Sequence, residues 1–279
     1  MTISELCKQG ADYLEEAGND NSGFDARCLM ESLLKIDTTK YMLIRDKKAD
    51  SKLTADFLAL IRRRVTGEPL QYILGQWDFM GNTFSVGKGV LIPRPETELL
   101  VSYAEKFLKG IEKPIVFDLC SGSGCVAISV AKLFPKATVY AVEKSDEAFL
   151  YLEKNIKLNK VKNVKAVHAD INNTSCLSGI SADLILSNPP YIRSDEIPLL
   201  QKEVRQEPVI ALDGGADGYD FYRLLAEKWL SGLKKGSSMA VECGEDQADE
   251  ISQMFFLLRS TVEIKNDLSG FPRMVTAVR

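Results

Sequence analysis

The chain has 279 residues and a mass of 31.0 kDa, room for one large domain or two modest ones. With 45% hydrophobic and 27% charged residues, its composition is that of an ordinary globular protein. A net charge of −4 and a pI near 5.3 argue against a protein that grips nucleic acid through phosphates alone, and residues 1–75 hide no basic arm, with 11 Lys/Arg against 12 Asp/Glu.

The opening stretch, MTISELCKQGADYLEEAG, has no apolar core flanked by positive charge, so no signal peptide is expected. No run reaches the roughly 18 apolar residues of a membrane helix. A cytoplasmic location is the expectation. Cys7, Cys28, Cys120, Cys125, Cys176 and Cys243 form no CxxC pair, which speaks against a zinc ribbon or a thioredoxin-type site. They read as small buried hydrophobes in a reducing compartment. His168 is the single histidine, so a multi-histidine metal site is excluded and no metal is expected.

Residues 1–65 read as helical. Apolar positions recur at helical spacing in CLMESLLKI and in LTADFLALIRRRV, where Leu53, Phe57, Leu60 and Ile61 share a face. Gly18, Gly23 and the KKADSK stretch punctuate these segments. The run IRRR (61–64) could be a nucleic-acid patch; the plainer reading is a solvated last turn favoured by the helix dipole. From Gln76, two short alternating runs around Gly81-Asn82 signal a β-hairpin. In LIPRPETELL, Pro95 suits a first helical turn and Glu96 and Glu98 its positive end, with Leu100, Tyr103 and Phe107 as the inner face. A domain boundary is expected between about residues 70 and 90.

Beyond it, PIVFDLC, TVYAVEK, VKAVHAD, ADLILSN, SSMAVEC, VEIKND and RMVTAVR alternate with helical stretches. One helix carries Phe221, Leu225, Trp229 and Leu233 at four-residue spacing. Such alternation predicts a doubly wound α/β sheet with a largely parallel core. The stretch 192–218 is a long connection with little periodicity, the kind that is usually a functional lid or disordered.

Chemistry gathers at strand ends. In VFDLCSGSGCVAI a strand ends in a glycine turn and opens a helix; Gly122 and Gly124 let backbone approach a ligand, and Asp118 sits near the strand's carboxyl end. The turn lacks the third glycine of a GxGxxG loop. Glu143, about 20 residues on, can accept from both hydroxyls of a ribose. Asp170 could meet an adenine amino group, with Ile171 packed on the base, while His168 reads as a strand-end side chain. Three strand-end acids beside a glycine turn fit a nucleoside cofactor, without choosing between NAD and S-adenosylmethionine.

The stretch SNPPYI (187–192) narrows the choice. Two prolines cannot continue a strand, so it stops with Asn188 at its tip and stiff carbonyls behind it. An amide or exocyclic NH₂ is a poor nucleophile because its lone pair is delocalised. The Asn188 side-chain oxygen and the Pro189 carbonyl offer two preorganised acceptors for its N–H bonds, which bind more strongly as positive charge builds on nitrogen. Tyr191 can pack on the planar group, and no general base is required.

These motifs together resemble the bacterial release factor glutamine methyltransferases, the HemK/PrmC family. GEPLQYILG (67–75), LIPRPETE (91–98), DLCSGSGCVAI (118–128), LILSNPPYI (184–192), EPVIALDGGADGYDFYRLL (207–225) and DLSGFPRMV (267–275) carry the likeness over nearly the whole chain. It implies a seven-stranded Rossmann-like methyltransferase domain, its last strand antiparallel, with a small N-terminal helical domain and a linking β-hairpin. The implied division is 1–70 for substrate docking, 71–95 for the hairpin linker and 96–279 for catalysis.

The likeness also implies S-adenosylmethionine as donor, with S-adenosylhomocysteine as product. The acceptor would be the Gly-Gly-Gln glutamine of class I peptide chain release factors, methylated by a monomer with no direct nucleic-acid or membrane contact. Carried over position by position, Cys120, Ser121, Gly122, Ser123 and Gly124 would line the methionine part of the cofactor, with Asp118 also among the cofactor-binding residues. Glu143 would hold the ribose, and Asp170 with Ile171 the adenine. Asn188, Pro189, Pro190 and Tyr191 would hold the glutamine, Asn188 also touching the cofactor, and Asn188, Pro189 and Tyr191 would be the catalytic set. Arg94 and Thr97 would close over the cofactor's amino-acid end, and the 192–218 loop would frame the glutamine.

Four positions depart from the family pattern: Cys120 for a frequent glycine, Glu143 for a commoner aspartate, Ile171 for an aromatic, and Pro272 for a polar residue. Three other readings remain: a glutamine methyltransferase of a large-subunit ribosomal protein, a nucleic-acid adenine amino-methyltransferase, and a non-enzymatic protein that keeps the fold. The near-neutral front domain and acidic pI weigh against the second, and the intact strand-end motifs against the third.

Overall fold

The computed structural model describes residues 1–258 and 260–279. Its contacts divide the chain into two units, Met1–Gln76 with Gln201–Gln206, and Trp77–Leu200 with Glu207–Arg279.

In the first unit the helical spacing yields α1 (Ile3–Glu16), α2 (Ser22–Leu34), α3 (Thr38–Ile44), α4 (Ser51–Val65) and α5 (Leu70–Leu74). Residues 71–74, expected to begin the linker, thus belong to a short helix. Side-chain caps start three of the five: Thr2 forms a capping box with Glu5, and Asp37 and Asp50 accept from the Lys40 and Leu53 N–H groups. Gly10 sits mid-helix because α1 packs hard on α4; a Cβ there would lie 2.6 Å from the Phe57 ring. Phe57 and Ile61 are buried as the periodicity predicts, while Leu53 and Leu60 are half-buried.

The arginine run follows the solvated reading at two positions and departs from it at the third. Arg62 and Arg63 are exposed, but Arg64 turns inward, with its Nε 2.7 Å from Asp25 and its Nη1 2.9 Å from Glu203. Asp25 and Arg64 are both buried. A guanidinium can be withdrawn from water only with carboxylates to receive its fork of donors, and the chain supplies one from α2, 39 residues away, and one from 139 residues away. Spacing on α4 alone could not show that second partner.

Next in the chain comes a hairpin, β1 (Gln76–Phe79) and β2 (Asn82–Ser85). Its turn is Met80–Gly81, both with positive φ (49° and 67°), one residue earlier than expected; Asn82 is already strand. A 3₁₀ turn at Pro95–Thr97 leads into α6 (Glu98–Phe107). Leu100, Val101 and Ala104 form its buried face, and the expected Tyr103 and Phe107 lie half-buried beside it, stacked at 5.8 Å. There follow β3 (Ile115–Leu119), α7 (Cys125–Leu133), β4 (Thr138–Glu143), α8 (Asp146–Leu158), β5 (Val164–His168), β6 (Leu184–Ser187), α9 (Asp220–Leu224), β7 (Ser238–Glu242), α10 (Ala248–Leu257), β8 (Thr261–Asn266) and β9 (Pro272–Val278).

The sheet order is β5-β4-β3-β6-β7-β9-β8. Strands β3 to β7 pair in parallel, and β9 enters antiparallel between β7 and β8, as expected for the last strand. β6 and β7 are buried along their whole length, as central parallel strands covered on both faces must be. The chain runs outward from β3 to β5 and returns to β6 on β3's other side. That reversal opens a crevice at the carboxyl ends of β3 and β6, where open α/β sheets bind ligands.

The helix expected across 221–233 is not one regular helix. After α9, residues Leu225–Leu230 form a π-helical turn, although Leu225, Trp229 and Leu233 stay buried. The long connection after β6 folds back on itself, with Ile192 bonded to Leu212 and Gly214 through 2.9 and 2.8 Å backbone bonds and three 3₁₀ turns between. Among the described residues no helix is long and apolar enough to cross a membrane.

Replacing Arg64 by Met should lower stability by about 3 kcal/mol, because Asp25 would stay buried without its cation. Urea unfolding followed by circular dichroism measures this; a loss under about 1 kcal/mol would show the pair to be weak.

Candidate active site

The crevice is built from the ends of β3, β4, β5 and β6. After Leu119 the chain turns through Cys120 (φ 63°), Gly122 (φ 52°) and Gly124 (φ 80°) into α7. The left-handed backbone at Cys120 explains why glycine suits that position, a side chain there costing about 1–2 kcal/mol. A Cβ on Gly124 would lie 2.5 Å from Leu152, whereas one on Gly122 would meet open space. Asp118 is buried beneath this turn, and its carboxylate accepts from the Ala127 N–H at 3.0 Å, which ties β3 to the first turn of α7. Burial pushes Asp118 up to about 7, against the hydrogen bonds from Ser121 and Ala127, with Glu143 adding to the rise.

Glu143 ends β4. Its two oxygens accept from Gly122 N–H at 2.8 Å and Ser145 N–H at 2.7 Å, so one carboxylate joins the glycine turn to the start of α8. Burial raises it above the usual carboxylate range, opposed by those N–H groups. At the end of β5, Asp170 pairs with Lys144 at 2.9 Å and accepts from Asn172 N–H at 2.8 Å. Desolvation would raise Asp170, but Lys144 and the Asn172 N–H outweigh it and hold it low. The buried Ile171 gives its carbonyl to the Trp229 indole at 2.9 Å. His168 stacks on Phe149 at 4.6 Å and does not line the crevice.

Two connected recesses occupy the crevice. The larger encloses about 760 Å³, part of it open to solvent, and is lined by Cys120, Gly122, Glu143, Asp170, Ile171, Asn188 and Pro190 among others. The smaller, about 380 Å³, is lined by Arg94, Thr97, Asp118, Ser121 and Ser123. Leu91, Cys120, Gly122 and Asn188 line both, so Asn188 stands where the recesses join. Its Nδ2 donates to the Thr97 hydroxyl at 3.1 Å, which turns Oδ1 the other way. Pro189, Gly124 and the half-buried Tyr191 are not among the residues that line either recess, although Asn188 and Pro190 on either side of Pro189 line the larger. Desolvation raises the Tyr191 hydroxyl to about 12, and its carbonyl is held by Gln247 at 3.0 Å.

Comparison with known proteins matches this architecture to two family models, the PrmC N-terminal domain at residues 5–75 and the methyltransferase small domain at residues 95–207. A release factor glutamine methyltransferase of Clostridium acetobutylicum is 34% identical, covering 100% of this chain and 99% of its own. That of Geobacter sulfurreducens is 36% identical over 91% of this chain and 88% of its own. The chain belongs to the release factor glutamine methyltransferase family. It is a methyltransferase by family and by fold. Among solved structures, the hMettl16 catalytic domain in complex with an RNA hairpin aligns with a TM-score of 0.59 at 15% identity, covering 78% of this chain and 81% of that one. A methyltransferase from Pyrococcus furiosus aligns with a TM-score of 0.53 at 20% identity, over 72% and 90%. At such identities these two speak for the fold alone.

Several members of the site were not visible in the family motifs as functional groups. Glu207, buried in the connection after β6, accepts from Ile92 N–H at 2.9 Å and pairs with the Arg94 guanidinium. Arg94, expected to close over a cofactor, is therefore already neutralised. Gln247 accepts from Gly244 N–H at 2.9 Å and donates to the Tyr191 and Gly218 carbonyls, pinning the exit of NPPY. Asn155, fully buried on α8, bridges Ser85 of the hairpin to the Ser123 carbonyl. No periodicity marks these residues; a buried polar side chain in a loop or mid-helix was the only available hint.

The Asp118 shift predicts a pH dependence. With the folded value near 7 against an ordinary 3.8, the contribution of protonated Asp118 to stability is complete below about pH 4 and lost as pH rises through about 7. The thermal midpoint of Asp118→Asn, compared with wild type by calorimetry, should therefore gain between about pH 4 and pH 7. A constant difference would show that Asp118 is ionised throughout.

Proposed function

We propose that this protein transfers the methyl group of S-adenosylmethionine to the side-chain amide nitrogen of the Gly-Gly-Gln glutamine in class I peptide chain release factors, leaving S-adenosylhomocysteine. The observation that carries the reading is the orientation of Asn188. With its NH₂ on Thr97, its oxygen is left to accept from a substrate NH₂ at the junction of the two recesses.

The residues present fit the cofactor. Gly122 leaves open space where a side chain would stand, and Glu143 keeps lone pairs beyond its two backbone donors for ribose hydroxyls. Ile171 offers an apolar wall for adenine, and the low-lying Asp170 stays an acceptor for its amino group. The smaller recess, lined by Ser121, Ser123 and Arg94, suits the polar amino-acid end. When bound, S-adenosylmethionine supplies an electrophilic methyl on a sulfonium. Asn188 Oδ1 and the Pro189 carbonyl hold the two N–H bonds of the glutamine amide. The prolines keep both acceptors rigid, so their attraction grows as the nitrogen becomes cationic without reorganisation at that moment. Proton loss from the methylated amide then needs no base from the protein.

The substrate assignment follows the family, whose relatives are named for release factors. The helical first unit would dock that protein, and the enzyme would act as a cytoplasmic monomer without metal or nucleic acid. Methyl transfer from radiolabelled donor, offered to release factors, ribosomal proteins and DNA in parallel, tests this. Label is expected on the Gly-Gly-Gln glutamine and absent from its Gln→Ala version; label on a ribosomal protein or on DNA would replace the substrate assignment.

Two variants divide the roles. Asn188→Ala should lower kcat by about 100-fold or more while S-adenosylhomocysteine affinity, by calorimetry, changes by less than about threefold. Glu143→Ala should weaken that affinity by at least about tenfold. Equal loss of affinity in both would remove the distinction between acceptor and cofactor residue.

A further inference from the structure

Glu242 is a buried carboxyl at this edge of the sheet that the proposed chemistry leaves unused. It ends β7, which is buried throughout, and one of its oxygens, Oε2, has no hydrogen-bond partner among the described residues. The register between β6 and β7 pairs Ser187 with Val241, so Asn188 and Glu242 occupy the next level of adjacent strands. Beside them lies Thr97, 2% exposed, hydrogen-bonded to the Asn188 amide at 3.1 Å and near enough to the Glu242 side chain to favour its ionised form.

An asparagine amide has two ends of nearly equal shape and opposite hydrogen-bonding sense. Only one orientation offers oxygen to a substrate NH₂; the other presents NH₂ against NH₂. Thr97 cannot make the choice alone, because a hydroxyl both donates and accepts. Buried as it is, its proton cannot turn to solvent. A carboxylate behind it can take that proton, which would leave only the Thr97 lone pair for Asn188, and a lone pair can receive only the NH₂ end.

We propose that Glu242 is a positioning residue, which acts through the Thr97 hydroxyl to hold the Asn188 amide with its oxygen toward the substrate. The inference rests on the reading of Asn188 as the acceptor for the substrate amide. A protonated Glu242 could donate to Thr97 instead and release the hydroxyl proton toward Asn188, so the ionised form is the one that enforces the orientation. Burial pushes Glu242 up to about 7, opposed by Thr97, by Arg273 on β9 and by Arg94, and reinforced by Glu96 beside Thr97. Tyr191, which also faces it, is held neutral by its own burial. Turnover should accordingly rise with pH through that range.

The full-length enzyme tests this in two ways. In kinetics, Glu242→Gln and Thr97→Val should each lower kcat by about tenfold, with the S-adenosylhomocysteine affinity of Glu242→Gln within about twofold of wild type. Their combination should be no worse than Thr97→Val alone, because both break one path. Thr97→Ser, which keeps the hydroxyl, should lose markedly less turnover than Thr97→Val, and Glu242→Gln should lose the acid limb of the kcat profile. Wild-type kcat in Glu242→Gln, multiplying effects in the double variant, or an unchanged pH limb would overturn the proposal. The second test needs no methyl transfer: the Asn188 side-chain amide, located in ¹H–¹⁵N spectra by its loss in Asn188→Asp, should show one proton protected from exchange. That protection should disappear in Thr97→Val and fall in Glu242→Gln. Unchanged protection in both would refute the relay even if the natural substrate proved to be a different protein, while absence of release factor methylation with protection behaving as expected would fault only the substrate assignment.

Discussion

Around the crevice at the ends of β3 and β6, carboxylates withdrawn from water must each find donors, and the loops of the site take their shape from those bonds. Glu143 finds Gly122 and Ser145, and so ties the glycine turn to the start of α8. Asp118 finds Ala127, and so ties β3 to α7. Glu207 finds Ile92 and Arg94, and so anchors the segment before α6 to the long connection after β6. An unpaired buried carboxylate would cost several kcal/mol, so each of these links is hard to open once the chain is packed.

Preorganisation follows from the same bonds. The two acceptors assigned to the substrate amide sit on a proline-stiffened tip whose exit is held by Gln247 and whose leading side chain is held by Thr97. Neither hold depends on a flexible surface side chain. The wall of the larger recess is stiffened likewise: the π-helical turn after α9 carries Trp229, which donates to the Ile171 carbonyl, and Lys228, whose ammonium reaches the Asn172 carbonyl at 2.9 Å. A regular helix over the same residues would have presented those two side chains at different angles, since each added residue turns the helix face by about 100°.

The legible part of the fold was the part that local rules govern. Seven apolar runs became seven strands, the central parallel ones because they need apolar side chains on both faces, and SNPPYI ended β6 because proline lacks a donor. The hairpin was visible, but its turn was misplaced by a residue because Met80 adopts a positive φ that residue preference assigns to Asn or Gly. Arg64 was read as solvated because helix position describes only near neighbours, whereas Glu203 lies 139 residues away. The break from α to π geometry after Leu224 is equally invisible to a four-residue spacing, which both geometries nearly satisfy.

Strand periodicity, glycine and proline chemistry and the order of acidic strand ends together determined that this chain would be a doubly wound sheet with Asp118, Glu143, Asp170 and Asn188 at its carboxyl edge. These follow from covalent geometry and from the two-residue and 3.6-residue repeats, which act over a few neighbours. Only the folded arrangement decided that Arg94 would be neutralised by Glu207, that Asn188 would join two recesses, and that Thr97 would face Asn188 with Glu242 behind it. Those are relations between residues 91 to 145 positions apart, set by which strands the sheet places side by side, and no local repeat carries them.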